Sequence, residues 1–274
     1  MTNKIININQ IPEVFKGSDT VFHYCPAETA IKLILLSKKL RLSPRGNSND
    51  PIENLPPFVS FSEYGYPEDE RASMGDAKIF AGKIISRIEY AKQICFCMNN
   101  TRINDRVTHT TLPYEYYGFL KPRMWDQYGD KYNGVCLAFS RKKLEEESKT
   151  DDLICDEVDY IRYSDLELNH LSVDTVKLKK DGYYEYLEEY EKRVDSILFS
   201  KHLDYGDENE YRIISTSSND YDYLNIEKCL KGIIFSDYVD EFVQWALVKH
   251  GGDFNVETVK IKWDTTGINM YLLC

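Results

Sequence analysis

The chain has 274 residues, 42% of them hydrophobic and 29% charged, which is ordinary for a globular protein and long enough for a substantial core. Its formal net charge of −11 argues against non-specific binding to nucleic acid or to an anionic membrane, because both need a basic face. A local basic pocket remains compatible with that balance.

Val21-Phe22-His23-Tyr24-Cys25 is a strand-like run, and residues 1–20 before it read as an N-terminal extension. Pro26 suits a helix start, where its missing N–H does no harm, and Ala27, Ala30, Ile31, Ile34 and Leu35 continue at helical spacing to Ser37. Leu40 to Ser43 reads as the next strand. Residues 44–57 are polar and Pro-rich, and Asn49-Asp50-Pro51-Ile52-Glu53 has the chemistry of an Asx turn. Phe58 to Ser62 and Ile94 to Met98 look like strands, with an irregular flap expected over 99–121. A short helix around Met124-Trp125-Asp126-Gln127-Tyr128-Gly129 leads into a buried strand, Gly134 to Ser140, whose Ser140 is placed to cap a helix over 142–147.

Tyr183, Tyr186, Leu187, Tyr190, Val194, Ile197 and Leu198 form the clearest amphipathic helix. Tyr211 to Thr216 and Gly232 to Ser236 read as strands, and Val239 to Lys249 as a helix ended by Gly251. Strands at 256–263 and 268–273 close the chain. Strands at both ends with helices between them predict one α+β domain over residues 21–274, and no glycine-rich phosphate loop supports a Rossmann or P-loop reading.

Tyrosine is the compositional outlier, 21 residues against 12 Phe and 3 Trp, and suits half-buried faces and shallow clefts as well as a general bias. Cysteines 25, 95, 97, 136, 155, 229 and 274 show no metal-ligand spacing, and their odd number suits free thiols. With no apolar leader and no run long enough to span a bilayer, the expected location is the cytoplasm.

Each candidate site residue has a structural and a functional reading. On a strand, His23 and Tyr24 face opposite ways, one toward a cleft and one into packing. The 49–53 turn is either a backbone device or a loop holding a polar ligand through Asn49 and Asp50. Trp125 and Tyr128, three apart on one helical face, either pack the core or line a cleft for a flat ring. In Glu208-Asn209-Glu210-Tyr211-Arg212, an early strand start puts Glu208, Glu210 and Arg212 on one face. There Glu210 pairs with Arg212 or Arg41 and Glu208 is solvated, or the two carboxylates stabilise an oxocarbenium ion, bond ribose hydroxyls, or ligate a hard metal with Asp50 and Glu53.

Phe22-His23-Tyr24, Leu40-x-Leu42-Ser43, Asn49-Asp50-Pro51-x-Glu53, Cys95-Phe96, Met124-Trp125-x-x-Tyr128, Gly134-Val135-Cys136-Leu137-x-Phe139 and Glu208-x-Glu210-Tyr211-Arg212 occur in the order seen in a bacterial family, domain of unknown function 2971, which the chain resembles over about residues 20–240. It departs from that family's usual serine at Cys97 and its aromatic near Leu203. More loosely, a His on the first strand followed by a helix and a strand, with a late E-x-E, is similar to the ADP-ribosyltransferase fold. That resemblance implies a split, mainly antiparallel sheet with flanking helices that grips NAD as substrate. By it, His23 bonds a ribose and Tyr24 or a loop tyrosine stacks on nicotinamide. Glu210 is catalytic, Glu208 orients the acceptor, and Asn49, Asp50, Trp125, Tyr128 and Arg212 belong to the cofactor site without a metal. A toxin or antiviral-defence effector acting on an unknown macromolecule, or on water, is the implied role. The alternatives are a metal-dependent nuclease and a non-catalytic sensing or adaptor module that binds a protein or nucleotide.

Overall fold

The computed structural model describes residues 3–6, 10–48, 50, 53, 58–62, 66–101, 114–150, 152–162, 170–265 and 267–273. In chain order these form β1 (Asn3–Ile6), β2 (Thr20–Cys25), β3 (Lys39–Pro44), β4 (Phe58–Ser62), α1 (Met74–Glu89), β5 (Lys92–Met98), α2 (Pro122–Gln127), β6 (Val135–Ser140) and α3 (Arg141–Glu147). They continue as β7 (Leu153–Glu157), β8 (Asp159–Ile161), β9 (His170–Asp174), α4 (Thr175–Asp181), α5 (Tyr183–Leu198), β10 (Ser200–His202), β11 (Glu210–Ser215), β12 (Asp222–Asn225), β13 (Leu230–Ser236), α6 (Glu241–Phe254), β14 (Glu257–Asp264) and β15 (Gly267–Leu273).

The main sheet runs β1-β15-β14-β13-β6-β2-β5-β11-β7, with β3 on β5 and β12 on β3. Its pairs are antiparallel except β13 with β14, which are parallel because α6 returns the chain between them. The result is the expected α+β architecture, a mainly antiparallel sheet with flanking helices. β6 is buried along its whole length at the centre, which explains its unbroken apolar run.

The sheet divides between β2 and β5. β2 pairs with β6 from Thr20 to Cys25 but meets β5 only at Val21↔Met98 and Phe22↔Cys97. β11 covers the opposite edge of β5 from Lys92 to Cys97, while β3 takes up its near edge only at Gln93 and Lys92. Ile94, Cys95 and Phe96 therefore present one strand edge to a gap.

One sheet face packs on the segment 29–35, α3 and α6 through Ile34, Leu35, Leu144 and Leu247. The other carries two apolar clusters, one of Phe15, Phe22, Tyr24, Phe119 and Trp125, and one that joins α1 and α5 to Ile214. Glu210 and Arg212 share the face of Ile214, while Tyr211 and Ile213 point to the first core.

Three expectations are corrected, and one helix is added to them. The described part of the expected N-terminal extension packs on the domain, because β1 pairs with β15 and Phe15 is fully buried. After one α-helical turn, Thr29–Leu35 is π-helical. α6 does not stop at Gly251 but runs to Phe254 and ends on Asn255 in the left-handed conformation. Gly251 serves close packing instead, since a Cβ there would lie 2.0 Å from Thr258 Oγ1. Finally, α1 was not expected, although Ser73 caps it by accepting from the Asp76 amide, and Ala77, Phe80, Ala81, Ile84 and Ile88 form its buried stripe.

Of the flap expected at 99–121, residues 102–113 lie outside the described residues, and 114–116 and 118–120 form short 3-10 turns. Gly134 enters β6 where a Cβ would meet the Cys25 carbonyl oxygen at 2.5 Å. Gly134→Ala is expected to cost about 1–3 kcal/mol by overpacking, read as a lower denaturation midpoint.

Candidate functional site

The gap in the sheet opens into a cleft of about 590 Å³, within the range of small-molecule sites. Its walls include His23, Ile94, Cys95, Phe96, Tyr128, Lys201 and Glu210. His23 accounts for the local geometry. Where the β2–β5 ladder stops, its Nδ1 lies 3.0 Å from the Cys95 carbonyl. That acceptor requires Nδ1 to carry the proton, which leaves Nε2 as the acceptor nitrogen of the neutral ring. Burial lowers the His23 pKa, opposed by this hydrogen bond.

Cross-strand register places Phe22, Cys97 and Glu210 on one face of the sheet, so His23 sets out from the opposite face. The two residues line the same cleft only because the sheet is divided between them.

Glu210 anchors a buried network of charges. Arg212, fully buried, donates through Nε and Nη2 to Glu210 Oε2 at 2.8 and 2.6 Å, through Nη1 to the Leu198 carbonyl at 3.1 Å, and through Nη2 to Glu53. Lys201 donates to Glu208 Oε2 at 2.7 Å and reaches Glu210 Oε1 at 3.3 Å. Arg123 donates to Glu208 Oε1 at 2.6 Å, and the Tyr128 hydroxyl approaches the same oxygen at 3.4 Å. Arg45, also buried, sits in the field of Glu53 and Asp50. Arg45, Arg123, Lys201 and Arg212 thus balance Asp50, Glu53, Glu208 and Glu210.

The balance decides the protonation of the individual groups. Burial opposes ionisation of Glu53, but Arg212, Lys201 and the Ser48 hydroxyl outweigh it and hold that carboxyl below the usual range. Glu208 goes the other way: burial pushes its carboxyl up against the pull of Lys201 and Arg123. Burial also opposes the charge on Lys201, yet Glu210 and Glu208 more than restore it. Glu210 Oε1 is the lightly held oxygen of the group, its contact being the long one to Lys201.

Glu208 reaches this network by an unexpected route. It does not lie on the strand but ends the 3-10 segment Leu203–Glu208, and Asn209 in the left-handed conformation (φ 49°) turns the chain into β11. Asn adopts that conformation more readily than most residues, and its amide also donates to the Met98 and Asn99 carbonyls at 3.3 and 3.1 Å. Glu208 is 1% exposed, so the solvated alternative is set aside, and Glu210 pairs with Arg212, whereas Arg41 stacks over Tyr221.

Other expected site residues are placed differently. Trp125 is fully buried, gives its indole N–H to the Phe119 carbonyl at 2.9 Å, and does not line the cleft. Tyr24 meets Trp125 edge-on at 5.2 Å and donates its hydroxyl to the Gly118 carbonyl at 2.7 Å, so its ring serves the core even where it borders the cleft. Arg212 and Asp50 are buried behind the wall, Asn49 lies outside the described residues, and Tyr128 does line the cleft. Sequence reasoning missed Lys201, Arg123 and Arg45 altogether. Among the described residues no group of His, Cys, Asp or Glu is arranged to hold a metal ion, and no helix is long and apolar enough to cross a membrane.

His23 yields a pH prediction. Its folded pKa is depressed, so the stability tied to its neutral form is complete above the unfolded value, about 6.5, and is lost as pH falls from there toward the folded value. The expected result is a melting temperature that falls below pH 6.5 more steeply in the wild type than in His23→Leu.

Residues 124–213 match the model of a family described as a protein of unknown function (DUF2971), the family that the sequence motifs resemble. The matched stretch carries Tyr128, Lys201, Glu208, Glu210 and Arg212, whereas His23 precedes it. No curated protein and no solved structure matches the chain.

Proposed function

We propose that this protein is a NAD-consuming enzyme of the ADP-ribosyltransferase type, acting in the cytoplasm as a toxin or defence effector. The observation that carries the reading is the position of Glu210: a buried carboxylate on the wall of a nucleotide-sized cleft, fixed through Oε2 by Arg212 and lightly held at Oε1. Departure of nicotinamide leaves positive charge on the anomeric carbon of the ribose. A carboxylate already held in place stabilises that charge without reorganising. The neutral His23 ring presents Nε2 as an acceptor for a ribose hydroxyl. Glu208, two residues before Glu210 and held behind the cleft wall by Lys201 and Arg123, is assigned to orient the incoming acceptor, a macromolecule or water. Breaking the glycosidic bond in this way needs no metal.

The test is release of nicotinamide from NAD by the purified protein, followed together with transfer of radiolabel from the adenylate to protein, DNA or RNA. Release, with or without transfer, supports the reading and separates transferase from hydrolase. Neither release nor transfer sinks it.

One observation favours a second reading, a sensing module that binds a nucleotide or protein without turnover. Both Glu208 oxygens and Glu210 Oε2 are engaged by cations, as in a network that only holds a fold together. Thermal stabilisation by NAD with no product formed would favour it.

A further inference from the structure

We infer that the outer half of the cleft is a diphosphate site, so that a dinucleotide lies with its adenylate at the mouth and its nicotinamide ribose at the divided sheet. The inference rests on the reading of the cleft as a NAD site and adds the orientation and the recognition of the substrate. It starts from charge. On a chain of net charge −11, the cleft mouth carries Lys32, Lys39 and Arg41. The carboxylates of the lining, Glu53 and Glu210, lie at the inner end, where Arg212 and Lys201 already pair with them. The cleft is therefore balanced at its inner end and positive at its mouth.

Local structure explains how the cations come together. Lys39 and Arg41 alternate on β3 with Leu40 and Leu42, which are buried in the core, so both cations share the outward face. Lys39 has no carboxylate within ion-pair distance among the described residues, and Arg41 rests over the Tyr221 ring at 4.8 Å. Lys32 meets Glu28 at 2.7 Å in an exposed helical pair, a kind of contact too weak to hold it from a ligand. Lys32 comes from the π-helical segment, whose wider turn is a rare form that recurs at functional sites. Leu33 from that segment and Tyr223 of β12 stand at the same mouth, 60% and 56% exposed, and offer apolar surface for the face of a base. Three cations around a mouth flanked by two apolar surfaces match a nucleoside diphosphate. A polymer of phosphates would face the repulsion of the acidic surface around it.

The experiment is calorimetric titration of ADP-ribose and of nicotinamide riboside into the wild type and the double variant Lys39→Gln, Arg41→Gln. Both positions are exposed, and equal melting temperatures would confirm an intact fold. ADP-ribose is expected to bind about 100-fold more weakly to the variant, roughly tenfold for each cation removed. Its affinity for the wild type should fall with added salt, and nicotinamide riboside should be affected less than twofold. An unchanged affinity for ADP-ribose, an equal loss for both ligands, or no ADP-ribose binding by the wild type would overturn the inference. So would tight binding of a single-stranded oligonucleotide that the same variant abolishes. If ADP-ribose binds and depends on the two cations while NAD is not cleaved, the diphosphate site stands and the proposed reaction fails. If NAD is cleaved and the variant binds ADP-ribose normally, the reaction stands and the diphosphate site fails.

Discussion

Glu210→Gln is expected to slow nicotinamide release about 100- to 1,000-fold, the scale seen when one preorganised electrostatic group is removed from a transition state. The substitution keeps the size and an acceptor oxygen but removes the negative charge. Binding of intact NAD should change far less than turnover, because the charge on the ribose develops only as the bond breaks. Arg212 retains Glu53 and the Leu198 carbonyl in this variant, so the cost in stability should be only about 1–2 kcal/mol. Turnover and melting temperature therefore separate the chemical role of Glu210 from its part in the network. A variant that keeps full turnover would place the chemistry elsewhere.

Arg212→Met should have the largest effect on the fold. It leaves Glu210 and Glu53 buried with much of their compensation gone, a situation that costs about 3–5 kcal/mol, equivalent to a drop on the order of 10 °C in melting temperature for a chain of this size. Much of that cost comes from the carboxylates left behind rather than from a bond lost. The triple variant Arg212→Met, Glu53→Gln, Glu210→Gln should accordingly recover part of the melting temperature. A triple variant that loses more than the single would show that the network contributes through its geometry and not through charge balance.

The strands were readable wherever side chains repeat with period two or run apolar without a break, as in β2, β5, β6, β11 and β13 to β15. α5 was readable from its buried stripe. α1 also carries a buried stripe and a cap, but Gly75 and Gly82 interrupt the pattern and weaken its helical signal. π-helical geometry has no spacing that distinguishes it from an α-helix over seven residues. At the site, strand alternation put Glu210 and Arg212 on one face but left Arg41 open as an alternative partner, which the folded structure sets aside. The convergence of Glu208 depended on one left-handed residue, Asn209, for which the Glu-Asn-Glu string was the visible signal.

Lys201, Arg45 and Arg123 join the network from separate segments, and only tertiary folding brings them to Glu208, Glu53 and Glu210. The same limit applies to His23. Its side of the sheet relative to Glu210 is set by the register Phe22↔Cys97↔Glu210, which no local pattern encodes. Trp125 and Tyr24 looked like ring-stacking candidates because aromatic spacing on a short helix or strand is the same for a core as for a cleft wall.

The most direct test is a crystal structure of the Glu210→Gln protein with intact NAD. The nicotinamide ribose is predicted in the gap beside Ile94, Cys95 and Phe96, with a ribose hydroxyl on His23 Nε2 and the anomeric carbon facing residue 210. NAD bound elsewhere on the chain, or bound here with its ribose turned away from both residues, would contradict the assignment.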